Sequence, residues 1–287
     1  LNVSQIIVSL NSVISLNDKS AFLIAVVLYA IGAIYGIFLI RAGFRRDDRI
    51  NYLILLSGFL FQTFAMYFRG LSFARCPVHN LYEAIMFVSW SIALAYLVIG
   101  IHPRLRFLGA YAAPLLLGLG LLALMPNMDQ TIKGSALENP KLYLNLHATL
   151  ILLSYGLFGI SALSGIMYVT QSYNLKFNRV KAFFSLLPPM ERIMKIMVET
   201  MVAGVILLTA GMIIGAVALK PPAGTTFSHD PKVQWTAVVW IMYAILLSAY
   251  KFFSLGSRKF AIGAIGSFAF IALTFWGVNM ISKIHNP

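Results

Sequence analysis

Apolar residues run in eight long stretches, at about 21–40, 51–68, 81–100, 107–125, 143–171, 196–219, 234–253 and 259–282, and polar, Gly- or Pro-containing segments separate them. Each run is long enough to cross the roughly 30 Å hydrocarbon layer as a helix. Hydrophobic residues make up 60% of the 287 and charged residues 11%, with a mean hydropathy of +0.83. Such a chain is solvated by lipid, where a backbone must satisfy its own hydrogen bonds. The expected fold is all-α: a polytopic integral membrane protein of about eight transmembrane helices, forming a single domain over residues 1–287. No basic n-region with a cleavage site precedes the first run, so targeting is expected to come from that helix itself.

The formal charge of +13 changes meaning once the basic residues are placed. They flank the helices. In alternate loops, 14 of the 22 Lys and Arg residues fall on one side and the other eight on the opposite side. The richer side is expected to face the cytoplasm, which leaves both termini outside. The excess charge is then a signal of topology and of lipid headgroups, and it argues against nucleic-acid binding. Cys76 is the only cysteine, which excludes an internal disulfide.

Between the spans, the segment 172–195 carries scattered Lys and Arg before Pro188-Pro189, and an amphipathic stretch on the membrane surface is expected there. The opposite loop, about 126–142, has enough breakers for an irregular cap. Glycines such as Gly204, Gly211 and Gly215 suit close helix packing in lipid. Glu83 and Glu199 begin spans, where a helix dipole favours an acid. Nothing supports hydrolysis: there is no acid pair, no Ser-His-Asp set and no phosphate-cradling loop. Ion-coupled transport is weak too, because no ionisable residue lies mid-span.

Candidate chemistry rests on histidine. His79, His147, His229 and His285 all fall on the expected outer side, and only His102 falls inside. Neutral imidazole is a common ligand of haem iron, and two imidazoles can hold one haem from opposite faces. The alternative is that these are interfacial residues bonded to water and headgroups. His79 and His102, in short loops beside Pro77 and Pro103, fit that alternative.

The loop Ala223-Gly-Thr-Thr-Phe-Ser-His-Asp-Pro-Lys-Val-Gln-Trp235 resembles the tryptophan-rich loop of the cytochrome c assembly family of haem-handling membrane proteins. That family includes the membrane subunit of the System II cytochrome c synthase and the HemX-like proteins. Gly224, Asp230-Pro231-Lys232 and Trp235 match, and Phe227 keeps an aromatic ring. Further matches are Pro77 with Asn80-Leu-Tyr-Glu83, Trp90, Leu208-Thr-Ala-Gly-Met-Ile-Ile-Gly215, Trp240, Tyr243 and Gly277-Val-Asn279.

The resemblance implies that His147 and His285 hold a b-type haem, as cargo or transiently, at the outer face. Phe227, Trp235 and Trp240 would then wall the porphyrin, and Lys220 or Lys232 would pair with its propionates. Asp230 belongs to the motif and also reads as a helix cap with Pro231 in the first turn. His229 reads as a third external ligand or as a substituted interfacial residue. The implied function is delivery of haem to apocytochrome c beside a periplasmic or membrane partner subunit, in a bacterial inner membrane or an organellar equivalent. Any haem lyase chemistry would be shared with that partner.

The departures point to an alternative. Gln62 and Ser248 stand where relatives that carry haem across the bilayer hold it between two intramembrane histidines. Ala223 and His229 replace tryptophans, and Val233 replaces a glutamate. These changes fit a HemX-like or repurposed scaffold subunit that organises a larger complex or influences haem synthesis.

Overall fold

The computed structural model describes residues 17–42, 48–73, 78, 80–126, 128–129, 142–176, 189–218 and 230–281. Eight helices in it are long and apolar enough to cross a membrane, and there is no strand among the described residues. They are α1 (Asp18–Ala42), α2 (Arg49–Phe73), α3 (Leu81–Gly100), α4 (Gly109–Ala123), α5 (Leu142–Lys176), α6 (Met190–Ala218), α7 (Pro231–Phe252) and α8 (Ser257–Ile281). All eight expected spans are present. A short 3-10 helix, Pro103–Leu108, precedes α4 and starts at the proline, whose fixed φ and missing N–H suit a first turn.

Capping side chains fix the starts of several helices. At α1 the Asn17 side chain accepts from the Ser20 amide at 2.8 Å, and the Ser20 hydroxyl accepts from the Asn17 amide at 3.0 Å. Asn80 caps α3 by accepting from the Glu83 amide at 2.8 Å. Helix α6 begins at Met190, directly after Pro189, and so takes in Arg192 and Lys195, which lie before the apolar run that starts at about 196. The amphipathic stretch expected before the prolines falls largely at 177–188, outside the described residues, as does most of the 126–142 loop.

Helices α3 and α5 form the centre, and they are the most deeply buried spans. Around them α1 packs on α2 and α4, and α5 packs extensively on α6 and also on α8. Ring stacking ties α5 to α7, with Phe158 and Tyr243 face to face at 3.7 Å. The starts of α1, α3, α5 and α7 lie at one face with the ends of α2, α6 and α8, as contacts from Asp18 to Arg69, His147 to Gly211 and Trp235 to Thr274 require. This is the face that the Lys and Arg count assigns to the outside, and it is called the outer face below. At the opposite, basic face, Arg106 donates to the Gly100 carbonyl and lies over the Tyr52 ring. The Tyr96 hydroxyl donates to the Arg106 carbonyl there.

Candidate functional site

Helix α5 has 35 residues and is about 52 Å long at 1.5 Å per residue, far more than the hydrocarbon layer needs. Its ends therefore project, and His147, in its second turn, sits at the outer rim. The imidazole packs against α6, with Nδ1 2.7 Å from the Gly211 carbonyl oxygen. A carbonyl can only accept, so Nδ1 carries the proton and a neutral ring keeps its lone pair on Nε2. Histidines that bind metals use this arrangement: a backbone carbonyl fixes the tautomer and the ring plane, and the other nitrogen faces the metal. His147 thus fits the role of an axial imidazole.

Asp230 and Lys232 stand beside it. Asp230 is buried and caps α7, accepting from the Lys232 and Val233 amides at 2.9 and 3.3 Å, with Pro231 in the first turn. The helix-cap reading of Asp230 therefore holds. The Lys232 ammonium is close enough for its charge to act on the His147 ring and to be felt by Asp230. One imidazole and one ammonium thus share the outer rim, where an iron and an acid group of one ligand can be met together.

The two tryptophans lie deeper along α7. Trp235 is 8% exposed, and its indole N–H donates to Thr274 of α8 at 2.7 Å. Its ring meets Tyr155 edge-on at 5.8 Å and Phe275 at 5.9 Å. Trp240 donates to Thr209 of α6 at 2.8 Å. Both indoles bridge helices. Phe227, His229, His285 and Lys220 lie outside the described residues, as does His79. Among the described residues no group of three or more His, Cys, Asp or Glu is arranged to hold a metal ion.

Gln62 occupies the bundle interior, fully buried. Its carbonyl accepts from the Tyr29 hydroxyl at 2.6 Å, and its amide donates to the Met86 carbonyl at 2.8 Å and to the Ser89 hydroxyl at 2.7 Å. Both amide hydrogens and one of the two carbonyl lone pairs are spent on joining α1, α2 and α3. It is a structural clamp, and a neutral amide is a poor ligand for iron.

One polar assembly was not foreseen. At the outer face Arg69, its side chain 3% exposed, gathers three carboxylates. Its Nε bonds Glu83 at 2.9 Å, its Nη1 bonds Asp18 at 2.8 Å, and its terminal nitrogens reach both oxygens of Asp129. Lys19 pairs with Asp129 at 2.8 Å, and Asn80 donates to it at 2.9 Å. The rings of Phe73 and Tyr82 lie 4.6 and 5.0 Å from the guanidinium. Glu83 is therefore an ion-pair partner as well as a helix-start acid. The signal in the sequence was an Arg directly at the end of one apolar run and a Glu at the start of the next, where charges at the edge of lipid need partners. Burial favours the neutral form of Asp129, but Arg69 and Lys19 outweigh it and hold its pKa down at about 2.

These features define an all-helical polytopic membrane protein with a histidine and ammonium site and a closed ionic cluster at the same face. The chain belongs to the cytochrome C assembly protein family, whose model matches residues 78–285. Among curated relatives, the cytochrome c biogenesis protein CcsA of Prochlorococcus marinus (strain NATL2A) is 27% identical over 269 residues, covering 84% of each chain. CcsA of Marchantia polymorpha is 28% identical over 269 residues, covering 79% of this chain and 83% of its own. CcsA of Guillardia theta is 28% identical over 229 residues, covering 72% and 74%.

Proposed function

We propose that this protein serves cytochrome c biogenesis by holding haem at the outer face of its membrane, both chain termini lying on that side. The observation that carries the reading is the His147 ring, whose Nδ1 is bound by the Gly211 carbonyl so that Nε2 carries the lone pair. His285, the last histidine of the chain, supplies the second axial imidazole. Lys232 pairs with a propionate, since a charged amine and a carboxylate form a strong hydrogen bond at a partly dry rim.

Haem brings its vinyl groups to the reaction, and the apocytochrome brings the cysteine thiols that add across them. What this chain adds is orientation: fixed imidazoles hold the ring plane, and the ammonium fixes which edge faces water. A partner subunit, periplasmic or in the membrane, guides the apocytochrome, because the loops of this chain are too short to form a soluble domain.

The Gln62 clamp favours a second, narrower reading, in which the protein keeps the fold and organises a larger complex without moving haem through its interior. An absorption spectrum of the purified protein separates the two. Haem holding requires a Soret band that is lost in the His147→Ala, His285→Ala double variant. A haem-free spectrum that haemin does not change leaves the scaffold reading.

A further inference from the structure

The α5–α6 interface contains two glycines one turn apart on α6, and they meet different things. A methyl group added at Gly211 would lie 2.8 Å from the Ile151 side chain, and the nearest His147 atom would be its backbone oxygen at 3.4 Å. At Gly215 the three nearest atoms all belong to the His147 imidazole. The methyl would fall inside contact distance of Cε1, 2.5 Å from Nδ1 and 3.2 Å from Nε2. The ring occupies the space where a side chain at 215 would be.

Helix geometry explains the pairing. The carbonyl of residue i points toward residue i+4, whose amide it accepts, and the side chain at i+4 normally crowds the oxygen from outside. With glycine at 215 the Gly211 oxygen is open on the α5 side, and its second lone pair takes the His147 Nδ1–H. We propose that Gly215 is a positioning residue for the outer-face imidazole: the missing side chain makes the slot in which the His147 ring is held on the Gly211 carbonyl. This inference rests on the haem-holding reading above. Any larger residue at 215 expels the ring from the slot and breaks its bond to Gly211.

The test is a haemin titration of the purified full-length protein in detergent, with low-spin g-values read from the ferric form. Gly215→Ala is expected to weaken haemin binding about 10-fold, in the range found when a ligand's supporting hydrogen bond is lost, and to move the g-values. Gly204→Ala, on the same helix, whose methyl would meet the Phe158 ring, is expected to leave both as in the wild type. In a His147→Ala background Gly215→Ala is expected to have no further effect on haemin binding or melting temperature, because the ring it displaces is gone. The proposal is overturned if Gly215→Ala binds haemin with wild-type affinity and g-values, or if it is equally damaging when His147 is absent. If Gly215→Ala alone does not fold, the double variant decides: recovery supports the slot, and continued misfolding shows a general packing site. A wild type whose haemin spectrum ignores His147→Ala refutes the haem-holding reading itself, and that result is read without any change at 215.

Discussion

Replacing Arg69 by methionine is the sharpest test of how the outer face is held together. The substitution keeps the aliphatic stem and removes a guanidinium that serves Asp18, Glu83 and Asp129. These partners differ in access to water. The side chains of Asp18 and Asp129 are 16% and 18% exposed and can rehydrate, whereas Glu83 is 1% exposed and would lose its guanidinium inside the bundle. Removing one member of a buried ion pair typically costs 3–5 kcal/mol, mostly because the other charge is stranded. A loss of about 3–5 kcal/mol is therefore expected, measured as a shift of the unfolding midpoint in detergent titrated with SDS. In Arg69→Met with Glu83→Gln the stranded charge is gone, and more than half of the loss should return. Arg69→Lys should fall between, because an ammonium is a point charge that cannot reach three carboxylates in one plane. A cost below about 1 kcal/mol for Arg69→Met, or a double variant no more stable than the single, would refute the claim that this pair is buried and coupled.

Two further outcomes follow from the same network and from the bundle interior. Because the Asp129 pKa is lowered to about 2, its contribution is complete above the ordinary carboxylate range and is lost as pH falls from about 4 toward 2; melting temperatures between pH 6 and 2 should show this acid step, on the order of 1 kcal/mol after solvent screening, and it should shrink in Arg69→Met. Gln62→Leu removes the bonds to Tyr29, Met86 and Ser89 and leaves the Tyr29 hydroxyl buried without its acceptor; a loss of about 1–3 kcal/mol is expected with the haemin spectrum unchanged, and a changed spectrum would place Gln62 within reach of the haem.

The spans were legible because lipid imposes a simple rule, an uninterrupted apolar run of fixed minimum length, and every such run became a helix. Their ends were less so. The caps at Asn17 and Asn80 are read only by weighing a local side-chain bond against hydropathy, and the runs alone began α1 and α6 too late. Asp230 was legible as a cap because Asp-Pro before an apolar run is a strong start signal. The sequence singled out His147, but its partner Gly211 lies 64 residues away on another helix, and a backbone carbonyl leaves no mark on composition. The Arg69 cluster was hidden for a similar reason. Asp18, Arg69, Glu83 and Asp129 come from four separate elements and each has a local explanation, as a flanking charge, a loop base, a helix-start acid and a loop breaker.

Tryptophans 235 and 240 gain a meaning from the packing that the motif did not supply. Helix α7 packs more sparsely on α6 than α5 does, so little backbone contact fixes its rotation or height on that side. Its two indoles hold it from both flanks, Trp235 through Thr274 of α8 and Trp240 through Thr209 of α6. In lipid these N–H groups have no water to bond, and a threonine hydroxyl on the neighbouring helix is the acceptor that removes the cost. Thr209 and Thr274 in turn donate to carbonyls one turn earlier in their own helices, so each hydroxyl is oriented before the indole arrives. The same helix presents Asp230 and Lys232 at its outer end, one turn above Trp235. The distance between the Lys232 ammonium and the His147 ring is thus set by aromatic side chains buried below the site, and an aromatic-rich segment after an outer loop is useful to this fold for that mechanical reason, independently of any porphyrin stacking.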